Sequence, residues 1–208
     1  VANRSDNFNV SQSLGTPSDG GSAWSQTSGT WSSDGTQAKE GGGGAQRVCV
    51  LDAASAVGDT QVTVPNRGLD NGICWRLADD SNYILGAYNA AGTMKIFKKV
   101  AGSFTQLGIT ATITAANGDV LKGSVDASNN HTFYQNGMSR VTATDAAGST
   151  NTKHGLRANG DTTVRFDDFS FTDTSGGGGA TPIRRYSSLN GLSAVGPFFA
   201  DPLAFAIA

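Results

Sequence analysis

The stretch Gly72–Tyr88, GICWRLADDSNYILGAY, decides the fold. In its first arm Ile73, Trp75 and Leu77 share one parity, and Cys74 and Arg76 share the other. Alternate side chains of a strand point to opposite faces, so this arm presents one heavy apolar face. Asp79-Asp80-Ser81-Asn82 follows, with residues that hydrogen-bond their own backbone and tolerate unusual dihedrals, the chemistry of a tight turn. The second arm, Tyr83 to Tyr88, is aromatic and aliphatic again. A hairpin this apolar belongs in the middle of an antiparallel sheet, with neighbours supplied by the chain before and after it.

Those neighbours are legible on both sides. Upstream, Gln46 to Asp52 has Val48 and Val50 on one parity and Cys49 and Leu51 on the other, which predicts cover on both faces. Thr60 to Val64 alternates cleanly and predicts one wet face. Asp6 to Val10 reads as a first edge strand anchored by Phe8, and Ser33-Asp34-Gly35 as a turn between two short strands. Downstream, the segments 93–100, 104–107, 109–113, 120–125, 131–135, 138–144, 155–158 and 163–172 read as strands. Asn136-Gly137 is a strong hairpin dipeptide because both positions accept positive φ.

No segment shows sustained helical spacing. A dozen or more strands separated by turn signals predict an all-β protein, a two-sheet antiparallel sandwich. Ile73, Trp75, Leu77, Val48, Val50 and Phe133 are the expected intersheet core. In the closing strand Val164 and Phe166 share one parity while Phe169 and Phe171 share the other. One extra residue at Asp167-Asp168, a bulge, would bring all four into one core.

The 208 residues suit one all-β domain with an appendage, and with 15% charged residues, 28 glycines and a net charge of -2 the composition is that of a turn-rich sandwich. The basic doublets Lys98-Lys99 and Arg184-Arg185 fall short of the broad stripe that nucleic acid demands. The N-terminal residues are polar, which predicts synthesis without an export signal. The most apolar run, Gly191 to Ala208, is broken by Pro197, Asp201 and Pro202, which argues against a membrane span. Cys49 and Cys74 have no metal-ligand spacing and read either as buried thiols or as a cross-strand bridge.

Composition divides the chain into a domain at 1–174, a glycine linker at 175–179 and a tail at 180–208. The tail has neither strand alternation nor a helical face, yet it concentrates large side chains. Arg184, Arg185, Tyr186, Leu192, Phe198, Phe199, Leu203, Phe205 and Ile207 are its candidate partner-binding residues, and it is expected to dock on another protein chain.

The order of motifs resembles the concanavalin A-like, laminin-G-like jelly roll over residues 5 to 173. Asp6 and Phe8 open it, and Gly29-Thr30-Trp31 follows. Arg76, Asp79, Asn82 and Tyr83 lie on and beside the central turn, and Phe166-Asp167-Asp168-Phe169 closes the roll. The pairing of a compact β domain with an apolar tail resembles accessory virion proteins of tailed bacteriophages. That resemblance implies a structural or adhesive virion protein, in the tail or decorating the capsid, made in the host cytoplasm and anchored to other virion proteins by residues 180–208. The alternative is a carbohydrate-binding module for a cell-surface glycan.

Glucanases of this fold use paired glutamates on one strand, and this chain has one glutamate, Glu40, so no enzymatic activity is expected. His131 and His154 lack a nucleophile elbow or reactive-cysteine context and read as polar strand positions. Gly41 to Gly44 lacks the following Lys and Ser/Thr of a phosphate loop. Laminin-G-like domains often hold a calcium ion on rim loops, and here Asp79, Asp80 and Asn82 are the candidate ligands; no other cofactor is implied. Trp24, Tyr83, Tyr88 and Tyr134 are the candidate sugar platforms, with core packing the competing reading for the tryptophans Trp24 and Trp31.

Overall fold

The computed structural model describes residues 3–176, which lie within one compact unit. The candidate partner-binding residues Arg184 to Ile207 lie outside the described residues.

In chain order the strands are β1 (Arg4–Asp6), β2 (Ser11–Ser13), β3 (Ser25–Gln26), β4 (Trp31–Asp34), β5 (Ala38–Glu40), β6 (Arg47–Asp52), β7 (Gly58–Asn66) and β8 (Asp70–Asp79). They continue as β9 (Asn82–Asn89), β10 (Thr93–Val100), β11 (Ser103–Thr112), β12 (Asp119–Val125), β13 (Asn130–Gln135), β14 (Met138–Thr144), β15 (Lys153–Ala158) and β16 (Arg165–Asp173). Among the described residues there is no helix. One sheet runs β14-β13-β12-β7-β16-β5-β4-β2, with β1 also on β16. The other runs β11-β10-β9-β8-β15-β6-β3, so the β8–β9 hairpin lies inside it with neighbours on both sides.

Alternation assigns the inner faces. Ile73 and Trp75 of β8, Ile84 and Tyr88 of β9, Met94 and Ile96 of β10 and Leu156 and Ala158 of β15 meet Val62, Val64, Leu121, Phe133 and Phe166 from the other sheet. At ~1.5–3 kcal/mol per large apolar side chain removed from water, this single cluster is the main source of stability. The Phe104 to Leu107 and Ile109 to Ile113 segments form one strand, β11, with Gly108 at φ 70 inside it. The first strand spans Arg4–Asp6 rather than the expected Asp6 to Val10, because Phe8 takes φ 51 and turns its buried ring into the core.

The closing strand carries the expected bulge. Its register on β7 slips between Asp167 and Ser170, Asp168 takes φ 49, and Val164, Phe166, Phe169 and Phe171 all enter the intersheet core. A second bulge overturns part of the predicted core. Arg76 takes φ 53 within a register slip between Trp75 and Asp79, so Leu77 changes face. Leu77 packs instead with Cys74, Val48, Val50, Tyr83 and Leu85, a separate cluster on the outer side of the seven-stranded sheet. Val48 and Val50 therefore face outward, and Cys49 and Leu51 fill the intersheet position expected of them. The cover predicted on both faces of β6 is present.

The two cysteines are free. They lie on β6 and β8, which are separated by β15, and point to opposite faces of the sheet, a geometry no disulfide can span. Burial pushes the Cys74 thiol up to about 12 and raises Cys49 as well, so both are inert thiols.

Candidate functional site

The outer face of the seven-stranded sheet is the part of the molecule with chemistry to spare. Pairing sets its layout. Across β15, β8, β9 and β10 one row reads Arg157, Gly72, Ala87, Lys95, and the next reads Gly155, Cys74, Leu85, Phe97. Ala87 makes the floor low beside taller neighbours, and Gly72 lies next to it in the row. Glycine is required at 72, because a Cβ there would run into the Gly86 carbonyl of the adjacent strand. The result is a cleft of about 260 Å³ lined by Gln46, Asp70, Leu85, Ala87, Phe97, Phe104, Arg157 and Asn159.

One wall is aromatic. Phe97 and Phe104 meet edge to face with centroids 6.0 Å apart, and Tyr83 and Phe104 do the same at 6.1 Å. Phe104 stays 39% exposed on β11, the edge strand, so a ring remains accessible there. The Lys99 ammonium lies 5.2 Å from the Tyr83 ring centre and 5.3 Å from that of Phe104, which holds the two rings together.

The opposite wall is a polar network. Arg157 donates from Nη1 to Asp70 Oδ1 at 2.8 Å and from Nη2 to Gln46 Oε1 at 3.2 Å. Asn159 Nδ2 donates to Asp70 Oδ2 at 2.8 Å, and Asn159 Oδ1 accepts from the Gln46 amide nitrogen at 3.0 Å. Gln46 holds φ 56, a left-handed conformation that non-glycine residues adopt only when their surroundings impose it. The network leaves capacity unused: each Asp70 oxygen has a further lone pair, and the Asn159 amide has a second N–H. The Asp70 side chain is 28% exposed while Arg157 is 4% exposed, so the carboxylate is the group offered to a ligand.

An aromatic wall facing amide and carboxylate groups is what a sugar ring needs. Its C–H face packs on the rings and its hydroxyls exchange hydrogen bonds with the polar wall.

The aromatic residues singled out in the sequence mostly lie elsewhere. Trp24 is buried, donates Nε1–H to Asp6 Oδ2 at 2.7 Å and stands edge-on to Phe169 at 4.9 Å. Tyr88 is buried in the intersheet core with its hydroxyl on Asp119 Oδ2 at 2.5 Å. Tyr83 is buried as well and serves the site from beneath, as packing for Phe104. Tyr134 is half-buried on β13 of the other sheet, under the Lys122 ammonium at 4.4 Å. None of the four is a platform of the cleft. Phe97, Phe104, Gln46, Asp70, Arg157 and Asn159 were not singled out; the outward parity of β10 is a sequence signal for Phe97 alone.

The central turn is occupied with itself. Asp79 Oδ1 accepts from the Ser81 amide at 2.7 Å and from Asn82 Nδ2 at 2.9 Å, and these bonds hold its carboxyl below the usual range. Asp80 turns away, accepting from the Ser28 hydroxyl at 3.3 Å. Asp79, Asp80 and Asn82 therefore do not converge on one point, and among the described residues no group of three or more His, Cys, Asp or Glu side chains is placed to hold a metal. Glu40 lies on β5 of the other sheet, buried, accepting from the amides of Gly42 and Gly43, each at 2.7 Å. No part of it lines the cleft.

The histidines are interior rather than merely polar strand positions. His131 accepts from Trp75 Nε1 at 2.9 Å, and its Nε2 lies 2.8 Å from the Asp145 carbonyl; His154 Nε2 lies 2.9 Å from the Ser55 carbonyl. Burial lowers both, His154 to about 4.

No family model and no curated protein matches the sequence. Solved structures do match by shape. The carbohydrate binding module CBM66 from Bacillus subtilis superposes with a TM-score of 0.53 at 16% identity, over 72% of this chain and 92% of that one. A β-glucanase from Bacillus licheniformis gives 0.54 at 12% identity, over 83% of this chain and 99% of that one. The GH43 protein BlXynB from Bacillus licheniformis gives 0.53 at 19% identity over 80% of this chain, which spans 38% of that protein. At these identities the likeness is one of fold, and the chain has the concanavalin A-like sandwich in common with these proteins.

Proposed function

We propose that residues 3–176 form a non-catalytic carbohydrate-binding domain whose ligand lies in the cleft on the outer face of the seven-stranded sheet. The observation that carries this reading is the pairing of the Phe97–Phe104 wall with the Gln46–Asp70–Arg157–Asn159 network across a floor of Leu85 and Ala87. The fold likeness to a carbohydrate binding module supports it. The likeness to glycoside hydrolases does not extend the reading to catalysis. The cleft offers a single carboxylate, Asp70, bound to Arg157, where glycoside hydrolysis needs an acid and a second carboxylate across the scissile bond.

A glycan array followed by calorimetry on the retained ligand tests the proposal. Phe104→Ala and Asp70→Asn should each weaken binding about tenfold, a loss of ~1.4 kcal/mol, while leaving the fold intact. Full affinity in both variants would place the glycan elsewhere. Release of reducing sugar from a bound glycan would overturn the non-catalytic part.

The setting is a finer step of the same proposal: residues 180–208 anchor the domain to other proteins of a tailed-phage particle, so that it displays a lectin-like face toward a host glycan. Its support is the aromatic composition of that segment. A chain truncated before residue 180 should keep its glycan affinity and fail to enter particles; normal incorporation ends the tether idea.

A further inference from the structure

We propose that the glycan taken by this face is anionic. The inference rests on the carbohydrate-binding reading and names the class of ligand. It comes from the outward side of β10, where Lys95, Phe97 and Lys99 alternate opposite Ala87, Leu85 and Tyr83 of β9.

Among the described residues the ion pairs are Arg4–Asp19, Lys98–Asp145, Lys122–Asp59 and Arg157–Asp70. Lys98 has its carboxylate, and Lys95 and Lys99 on either side of it have none. The acidic residues beside Lys99 make no ion pair with it: Asp80 offers it a main-chain carbonyl at 2.6 Å, and Asp79, which feels the Lys99 charge at longer range, is hydrogen-bonded to Ser81 and Asn82. Within the cleft Arg157 is neutralised by Asp70. The face thus holds two cations without a carboxylate partner beside an aromatic wall, Lys95 half-buried and Lys99 only 8% exposed at the rim of a cleft, on a chain whose net charge is -2.

Both cations are positioned rather than loose. The Lys95 ammonium lies 6.0 Å from the Phe97 ring centre. Lys99 is held between Tyr83 and Phe104 and keeps two N–H donors beyond the one spent on Asp80. It lines a second cleft of about 390 Å³ together with Asn82, Tyr83 and Asn151. The two lysines are four steps apart on the strand, ~13 Å at the usual rise, so a ligand that meets both is longer than one sugar ring. Carboxylate or sulfate groups carried along such a chain would find a cation at each end of the aromatic wall. The Asp70 carboxylate and the Asn159 and Gln46 amides favour hydroxyl-bearing rings over a phosphate backbone.

Affinity electrophoresis and calorimetry with polygalacturonate, dextran sulfate, uncharged dextran and a twenty-residue oligothymidylate test this. The full chain should bind at least one of the two polyanionic glycans, and which one distinguishes carboxylate from sulfate. Lys95→Gln and Lys99→Gln should each weaken that binding about tenfold, and added salt should do the same. Lys39→Gln, an equal charge loss on the other sheet, should change nothing. Preference for uncharged dextran, equal losses in Lys39→Gln, tighter binding of the oligothymidylate, or no binding of either polyanion overturns the inference. Of these, preference for dextran that is sensitive to Phe104→Ala leaves the carbohydrate-binding reading standing.

Discussion

At the scale of single residues, burial decided which aromatics serve the core and which serve the surface. Trp24 shows why this was hard to read. Its neighbours Ala23 and Ser25 give no hint of Asp6, eighteen residues earlier, whose carboxylate takes the indole N–H and the amides of Phe8 and Ser18. Asp6 is only 7% exposed, so it depends on those three donors. Trp24→Phe removes one donor and leaves the ring volume nearly filled, so the loss should come mainly from an under-satisfied buried carboxylate. That costs about 1–3 kcal/mol, read as a lower urea midpoint, with unchanged glycan affinity. Equal stability would mean that Asp6 does not need the indole. Phe97 and Phe104 were missed for the opposite reason: a phenylalanine on a strand reads as core unless the face it occupies is known.

At the scale of elements, parity located one bulge and missed another. In β16 four apolar residues fell on two parities, and only an inserted residue could reconcile them, so the bulge at Asp168 was legible. In β8 the sequence ILE-CYS-TRP-ARG-LEU at 73–77 alternates perfectly, and nothing in it signals that Arg76 breaks the register. The reason is tertiary. The Arg76 guanidinium donates to the Ala56 carbonyl at 2.9 Å and to Asn129 Oδ1 at 2.8 Å, tying two loops that are far apart in sequence. β6 is apolar on both faces, so alternation could not say which face looks inward. The β16 bulge gives a two-sided prediction. Asp168 is exposed at φ 49, so Asp168→Gly should be neutral or stabilising by up to about 1 kcal/mol. Deleting Asp168 shifts Phe169 and Phe171 to the opposite face and should abolish cooperative unfolding in calorimetry. A deletion variant that melts normally would show that the strand can re-register without its bulge.

At the scale of the whole molecule, the two buried histidines couple the stability of the sandwich to pH. Burial is the main cause of the lowered values, and in both cases the nearby Arg76 cation adds to it while a carbonyl or carboxylate partner opposes it. The folded protein therefore holds neutral imidazoles where the unfolded chain would protonate at its ordinary value of 6.5. The unfolded state binds more protons throughout the interval between the two values, so stability is complete above pH 6.5 and declines as the pH falls. For His154, fully buried and lowered to about 4, the decline amounts to about 3 kcal/mol by the time that value is reached. The carboxylates whose values are lowered in the fold act below this window. Asp52, held down by the Ala54 amide and the Thr152 hydroxyl, loses its contribution as the pH drops through its lowered value. The urea midpoint should be level from pH 8 to 7 and then fall between 6.5 and 4. Added salt should not remove this fall, because the imidazoles are shielded from solvent. His154→Gln should lower stability at pH 7, since Thr60 and the Ser55 carbonyl lose a fitted partner, but it should flatten most of the decline between pH 6.5 and 4. An unchanged midpoint in the parent protein from pH 7 to pH 4.5 would rule out neutral buried histidines as the origin of acid sensitivity.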